Sequence, residues 1–135
     1  MITIVDYGAG NLTSVKRALE FLGVKCQVSA DPDIVCTAER IIFPGVGAAG
    51  AAMGVMHKKG LDSALKASFR NGTPILGICL GCQIVLTRTE EDDTPGLDLI
   101  PGVCCKFRFL DESLKVPHIG WNTLRVTGKH ALLNH

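Results

Sequence analysis

The chain has 135 residues, 47% of them apolar and 20% charged, with a formal net charge of +1. That is enough for one domain with a real core, and no apolar run approaches the length of a membrane span. Charges of both signs are interspersed and aromatic residues make up only 5%, so no nucleic-acid partner is expected. Met1 leads directly into an apolar strand with no signal-peptide pattern, which reads as a cytoplasmic protein with reduced thiols. Its six cysteines include the close pairs Cys79/Cys82 and Cys104/Cys105, and no Cys/His cluster has zinc-ligand spacing, so no metal is expected.

Strand and helix patterns alternate along the chain. Ile2–Asp6 reads as a strand. Leu12, Val15, Leu19 and Leu22 recur at helical spacing and predict a helix over Leu12–Leu22, stopped by Gly23. Val24–Ser29 and Arg40–Phe43 are the next strands, the latter closed by Pro44. Helices are expected over Ala51–His57 and Leu61–Phe69, then a strand over Pro74–Cys79 and a helix over Gly81–Leu86. Shorter strands are expected over Cys104–Phe109 and Asn122–Val126, and the acidic run at 90–93 reads as a mostly solvated loop. Repeated βαβ units imply an α/β domain with a mostly parallel sheet and helices on both faces. Ligands of such folds bind at the carboxyl ends of the strands, where Tyr7-Gly8, Pro44-Gly45 and Cys79 fall.

The segment Pro74–Val85 carries the chemistry. An apolar strand runs into Gly77-Ile78-Cys79-Leu80-Gly81 before a helix, the layout of a nucleophile elbow with sulfur as the nucleophile. Such a turn forces Cys79 into a strained conformation, and the residues two to either side must lack a Cβ. The sulfur then stands clear of the sheet near a helix N-terminus, where the backbone dipole favours thiolate.

Three other readings compete. Cysteine is often a small core residue, but core packing asks for no flanking glycine pair. Cys79-Leu80-Gly81-Cys82 also has C-x-x-C dithiol spacing, which leaves Gly77 and the polar Gln83 unexplained. Gly45-Val46-Gly47-Ala48-Ala49-Gly50 spells G-x-G-x-x-G after a strand, and Gly8-Ala9-Gly10 comes close to it. A dinucleotide site also needs an acid about 20 residues on; none serves after Gly50, and Asp31 would serve after Gly10.

Pro74–Val85 resembles the signature of class I glutamine amidotransferases. The segments Asp6–Leu12, Pro44–Gly47 and Pro117–Asn122 extend the resemblance over essentially the whole chain. More narrowly, they are similar to the glutaminase subunits of imidazole glycerol phosphate synthase, from histidine biosynthesis. Departures are Cys82, where relatives usually carry methionine, and Ala48-Ala49, where a phenylalanine is common. The resemblance implies a flavodoxin-like fold over 1–135, no cofactor, and attack of Cys79 on the side-chain amide of glutamine. Leu80 N–H is one oxyanion donor by elbow geometry, and the Gly45-Val46-Gly47 loop supplies the second. Gln83 and Glu91 match positions that hold the substrate's carboxylate and amino groups, with Gly45 beside them. Asn11, His118 and Trp121 lie in segments that in relatives face a (βα)8-barrel cyclase subunit, which receives the ammonia. A glutaminase of another ammonia-transfer pathway and a non-catalytic binding fragment stay open beside this reading.

The base is a departure of another kind. Relatives draw the histidine and glutamate of their triad from a His-x-Glu near the carboxyl end. Here the residues two after His57, His118 and His130 are Lys59, Gly120 and Leu132, and His135 is the last residue. Family chains run dozens of residues further, and 131–135 reads as an unfinished helix. The expectation is a domain lacking the C-terminal part that carries the triad histidine and glutamate.

Overall fold

Strands with apolar residues on both faces need cover on both, and the core divides accordingly. The computed structural model describes residues 1–110, 115–128 and 132. Strands β1 (Ile2–Val5), β2 (Cys26–Ser29), β3 (Arg40–Gly45) and β4 (Ile75–Cys79) form a parallel sheet in the order β2-β1-β3-β4. Ile4 and Ile42 face one side and pack with Leu19 of α1 (Leu12–Phe21). Val5, Ile41 and Phe43 belong to the larger cluster on the other side. There they join Val35 of α2 (Pro32–Cys36), Met56 of α3 (Ala49–Lys59) and Leu61 and Leu65 of α4 (Leu61–Arg70). The two-residue period of the strands makes this division. From β4 the chain passes without a loop into α5 (Leu80–Ile84), which adds Leu80 and Ile84 to the larger cluster.

Local chemistry sets the helix starts. Asn11 opens α1 by accepting from Ser14 N–H at 3.1 Å. Asp31 does the same for α2 through Asp33 N–H at 2.9 Å, with Pro32 in the first turn. Gly60, at φ 70, ends α3 and begins α4.

The expected α/β class, parallel sheet and two-sided helical cover are all present, but the second half differs. A small sheet, β6-β5-β7, is built from β5 (Leu86–Thr89), antiparallel to β6 (Thr94–Pro95) and parallel to β7 (Ile100–Cys104). The strand expected over Cys104–Phe109 is therefore shifted: pairing ends at Cys104, and Pro101 and Gly102 lie within an edge strand that tolerates them. Asn122–Val126 forms no strand; Leu124 and Val126 are exposed, so their alternation has no surface to bury. Helix α2 was not anticipated, and the helix expected over Gly81–Leu86 stops at Ile84 because β5 begins at Leu86.

The acidic run is exposed yet mostly paired. Arg88 pairs with Asp93, and Glu90 accepts from Lys106 N–H at 3.0 Å and from Arg108 at 2.9 Å. These bonds, the Lys106 peptide first, hold the Glu90 carboxyl below its ordinary range. The helical pattern read at 131–135 falls outside the described residues apart from Leu132. Among the described residues no helix is long and apolar enough to cross a membrane, and no group of three or more His, Cys, Asp or Glu is placed to hold a metal ion.

Candidate active site

β4 delivers its last residue, Cys79, at φ 55 and ψ −117, and the next residue begins α5. That is a glycine region of backbone space, and a cysteine there is strained. The side chain is exposed and its thiol is free. The flanking glycines show why no other residue fits. A Cβ on Gly77 would lie 2.8 Å from both N and Cα of Cys82. One on Gly81 would lie 1.9 Å from the Phe43 carbonyl oxygen. The elbow read from the sequence is thus a steric fact: β4, the first turn of α5 and β3 approach too closely for side chains. The core-cysteine reading is excluded by exposure. Helix α5 is five residues long, so what it presents to the sulfur is the N–H groups of its first turn rather than a long dipole.

In the sheet register Gly45 pairs with Cys79, which brings the end of β3 beside the sulfur. Gly45 itself is buried, and a Cβ on it would lie 2.6 Å from the Tyr7 hydroxyl and 2.8 Å from Gly81 N. Beyond it Val46 and Gly47 are exposed, Gly47 at φ 90 with open space around its Cα. Gly45 and Gly47, on either side of Val46, bring no side chain to this strand end. Leu80 is buried and anchors the elbow in the core.

Gln83 is half-buried in α5, one turn on from Cys79. Glu91 sits on the turn between β5 and β6, where its Oε2 accepts from Ala49 N–H at 2.9 Å. Ala48, at the α3 N-cap position, makes no side-chain cap bond, so Glu91 performs that service from 42 residues away. Its own N–H is held by Thr89 Oγ1 at 3.2 Å, and its carbonyl accepts from Thr94 Oγ1 at 2.8 Å. The carboxylate thus stands at the α3 N-terminus beside the 45–48 loop. A dinucleotide pyrophosphate would need that helix terminus and would meet this negative charge instead. Asp31, the acid proposed for a ribose, is already engaged as the α2 cap.

Sequence reading missed Tyr7 as a site residue. It is buried, stacked edge-on against Phe43 with ring centroids 5.8 Å apart, and its hydroxyl reaches Gly45. Burial pushes the phenol above its ordinary pKa; the Val46 peptide pulls it back, and Cys79 acts to raise it. Of the other predicted residues, Asn11 is exposed and caps α1, while His118 and Trp121 lie on a fully exposed stretch, 115–128, without helix or strand.

The family profile described as glutamine amidotransferase class-I matches residues 3–132. Imidazole glycerol phosphate synthase subunit HisH of Desulfovibrio desulfuricans is 51% identical, the match covering 99% of this chain and 64% of that protein. The subunit of the same name from Nitratidesulfovibrio vulgaris is 49% identical over 92% of this chain and 61% of its own length. That of Streptococcus mutans is 44% identical over 98% and 66%. The chain thus spans about three-fifths of the length of the curated relatives it matches. A solved glutamine amidotransferase structure superposes with a TM-score of 0.69 at 17% identity, covering 83% of this chain and 60% of that one, and so shares the fold. With a profile match running almost end to end and an elbow built around Cys79, the chain belongs to the class I glutamine amidotransferase family.

Proposed function

We propose that this chain carries the nucleophile of a glutaminase, the glutamine-hydrolysing subunit of a cytoplasmic imidazole glycerol phosphate synthase in histidine biosynthesis. Identities near 50% to subunits of that name support the assignment. The observation that carries the chemistry is the exposed Cys79 sulfur, held at φ 55 with the β3 end alongside. The thiolate adds to the amide carbon of glutamine, and the carbonyl oxygen becomes an oxyanion. Leu80 N–H and an N–H of Val46 or Gly47 are the donors proposed to hold it. Collapse expels the nitrogen as ammonia once it has gained a proton, leaving a γ-glutamyl thioester. Water then hydrolyses the thioester to glutamate and returns the thiol. Gln83 and the second oxygen of Glu91 are the polar groups proposed to orient the substrate's carboxylate and amino ends, with Gly45 keeping the floor free of a side chain.

These residues contain no His-x-Glu, so the 135 residues by themselves are expected to hydrolyse glutamine negligibly. We read the domain as completed by a C-terminal part that carries the base. Labelling at Cys79 tests the reading without needing turnover. A chloroketone built on the glutamine skeleton should alkylate Cys79 with saturable kinetics, and L-glutamine should slow it. Full access of small thiol reagents to Cys79, with no effect of L-glutamine, would instead assign the chain to a binding role.

The ammonia acceptor is proposed to be a (βα)8-barrel cyclase subunit docking on the segments of Asn11, His118 and Trp121. Trp121 is 103% exposed, so Trp121→Ala should change the chain's own stability by less than about 0.5 kcal/mol. The same substitution should weaken the complex by about 2 kcal/mol, near 30-fold in Kd, as a central aromatic anchor does. Sedimentation of the mixed subunits measures it, and an unchanged Kd would remove Trp121 from the interface.

A further inference from the structure

The turn that carries Glu91 is folded against the ordinary preference of its own backbone. Asp92 and Asp93, both with a Cβ, lie side by side in the left-handed region at φ 51 and φ 49. Such a conformation persists only where the surroundings hold it. The hold comes from the two residues that close the turn. Thr89 of β5 and Thr94 of β6 stand directly opposite each other in the antiparallel register. Both are buried, at 3% and 7% exposure, and both hydroxyls serve one residue. Thr89 Oγ1 accepts from Glu91 N–H at 3.2 Å, and Thr94 Oγ1 donates to the Glu91 carbonyl at 2.8 Å. Glu91 is thus gripped at both ends of its main chain, and its Oε2 reaches Ala49 N–H at 2.9 Å. The Thr94 oxygen also lies 3.4 Å from where a Cβ on Gly50 would stand, so the first turn of α3 is seated on the same grip.

We propose that Thr89 and Thr94 are positioning residues for the amino end of the substrate. They fix the Glu91 main chain, so that one carboxylate oxygen stays on Ala49 N–H and the other is held out toward a primary ammonium group. The grip is a property of this fold. Only its consequence for glutamine rests on the glutaminase reading. A glutamate side chain turns about several bonds, so an ungripped Glu91 would spread its charge over a wide volume and select poorly. Held at its N–H, its carbonyl and Oε2, it offers one oxygen at one place. A ligand with an amino group there gains from the fixed geometry, and a ligand without one does not.

The test compares two reagents at Cys79 in the full chain, followed by peptide mass. One is the chloroketone on the glutamine skeleton; the other is its desamino analogue, with hydrogen in place of the α-amino group. Valine keeps the branching and bulk of threonine and removes the hydroxyl. In Thr89→Val and in Thr94→Val the half-saturating concentration of the amino reagent should rise roughly 3- to 10-fold, the weight of one hydrogen bond. That of the desamino reagent should stay within about twofold, and Thr94→Ser, which keeps the hydroxyl, should restore the parent's preference. A rise shared equally by both reagents overturns the proposal, because it would mean only a loosened site. So does an unchanged ratio, or a parent chain that takes the two reagents equally. Protection by L-glutamine judges the glutaminase reading separately. Protection together with an unchanged ratio in the valine chains leaves that reading standing and removes the threonines. Should the valine chains fail to fold, amide exchange in the unaltered chain decides. Glu91 is exposed, yet Glu91 N–H and Ala49 N–H should each exchange roughly 3- to 10-fold more slowly than in an unstructured peptide. Peptide-like exchange at either would overturn the proposal as well.

Discussion

Cys79→Gly is expected to yield a chain more stable than the parent and without the saturable, glutamine-protected reaction with the chloroketone. At φ 55 and ψ −117 any residue with a Cβ stores strain worth about 1–3 kcal/mol. Glycine releases that strain, at a cost of about 0.5–1 kcal/mol in the flexibility of the unfolded chain. The exposed side chain gives up little burial in exchange. The net gain is about 1 kcal/mol, readable as a higher urea midpoint with an unchanged slope. Loss of the saturable reaction is complete because the Cys79 sulfur is the nucleophile that the substrate-shaped reagent meets. A Cys79→Gly chain destabilised by more than about 1 kcal/mol would mean that the side chain packs in the core. The same residue would then be structural, and the exposed elbow would be wrong.

The second large effect belongs to Gly81→Ala. Its Cβ would stand 1.9 Å from the Phe43 carbonyl oxygen and 2.9 Å from the carbonyl carbon. Both are backbone atoms of a central strand, and neither can move without dragging β3 away from β4. Overpacking of this kind costs about 3 kcal/mol or more, a large share of a small domain's stability. Gly54 is the control. It lies inside α3 with nothing within 4 Å of a Cβ, so Gly54→Ala should stabilise by about 0.5–1 kcal/mol through helix propensity. Equal midpoints for Gly81→Ala and the parent would show that β3 and α5 do not meet as described. The site could not then be held by their contact.

The sequence was most legible where sterics leave one solution. Gly77, Cys79 and Gly81 could be read as an elbow because the turn geometry alone demands that pattern. Three of the four parallel strands could be read because each is largely an apolar run closed by an acid, a proline or a glycine turn, and β2, with Gln27 and Ser29, because it follows the Gly23 helix stop. Short elements were harder. Ile100–Cys104 contains Pro101 and Gly102, punctuation that reads as a turn until an edge position excuses it. Asp31-Pro32 did carry a capping signal for α2, and the signal went unused because only five residues follow it. Contacts across long separations left no trace. Nothing in Glu91 announces that its carboxylate caps Ala49, and nothing in Tyr7 announces a buried hydroxyl under Gly45. Those are facts of three-dimensional adjacency, and both lie against the loop that the sequence had marked.

A crystal structure of the chain alkylated by the chloroketone puts the elbow at Cys79 to its sharpest test. One adduct is expected, on Cys79, with its ketone oxygen about 3 Å from Leu80 N–H, the distance of an oxyanion donor. An adduct whose oxygen points to solvent with no backbone N–H in reach, or whose label sits on Cys82 or Cys105 instead, would contradict it.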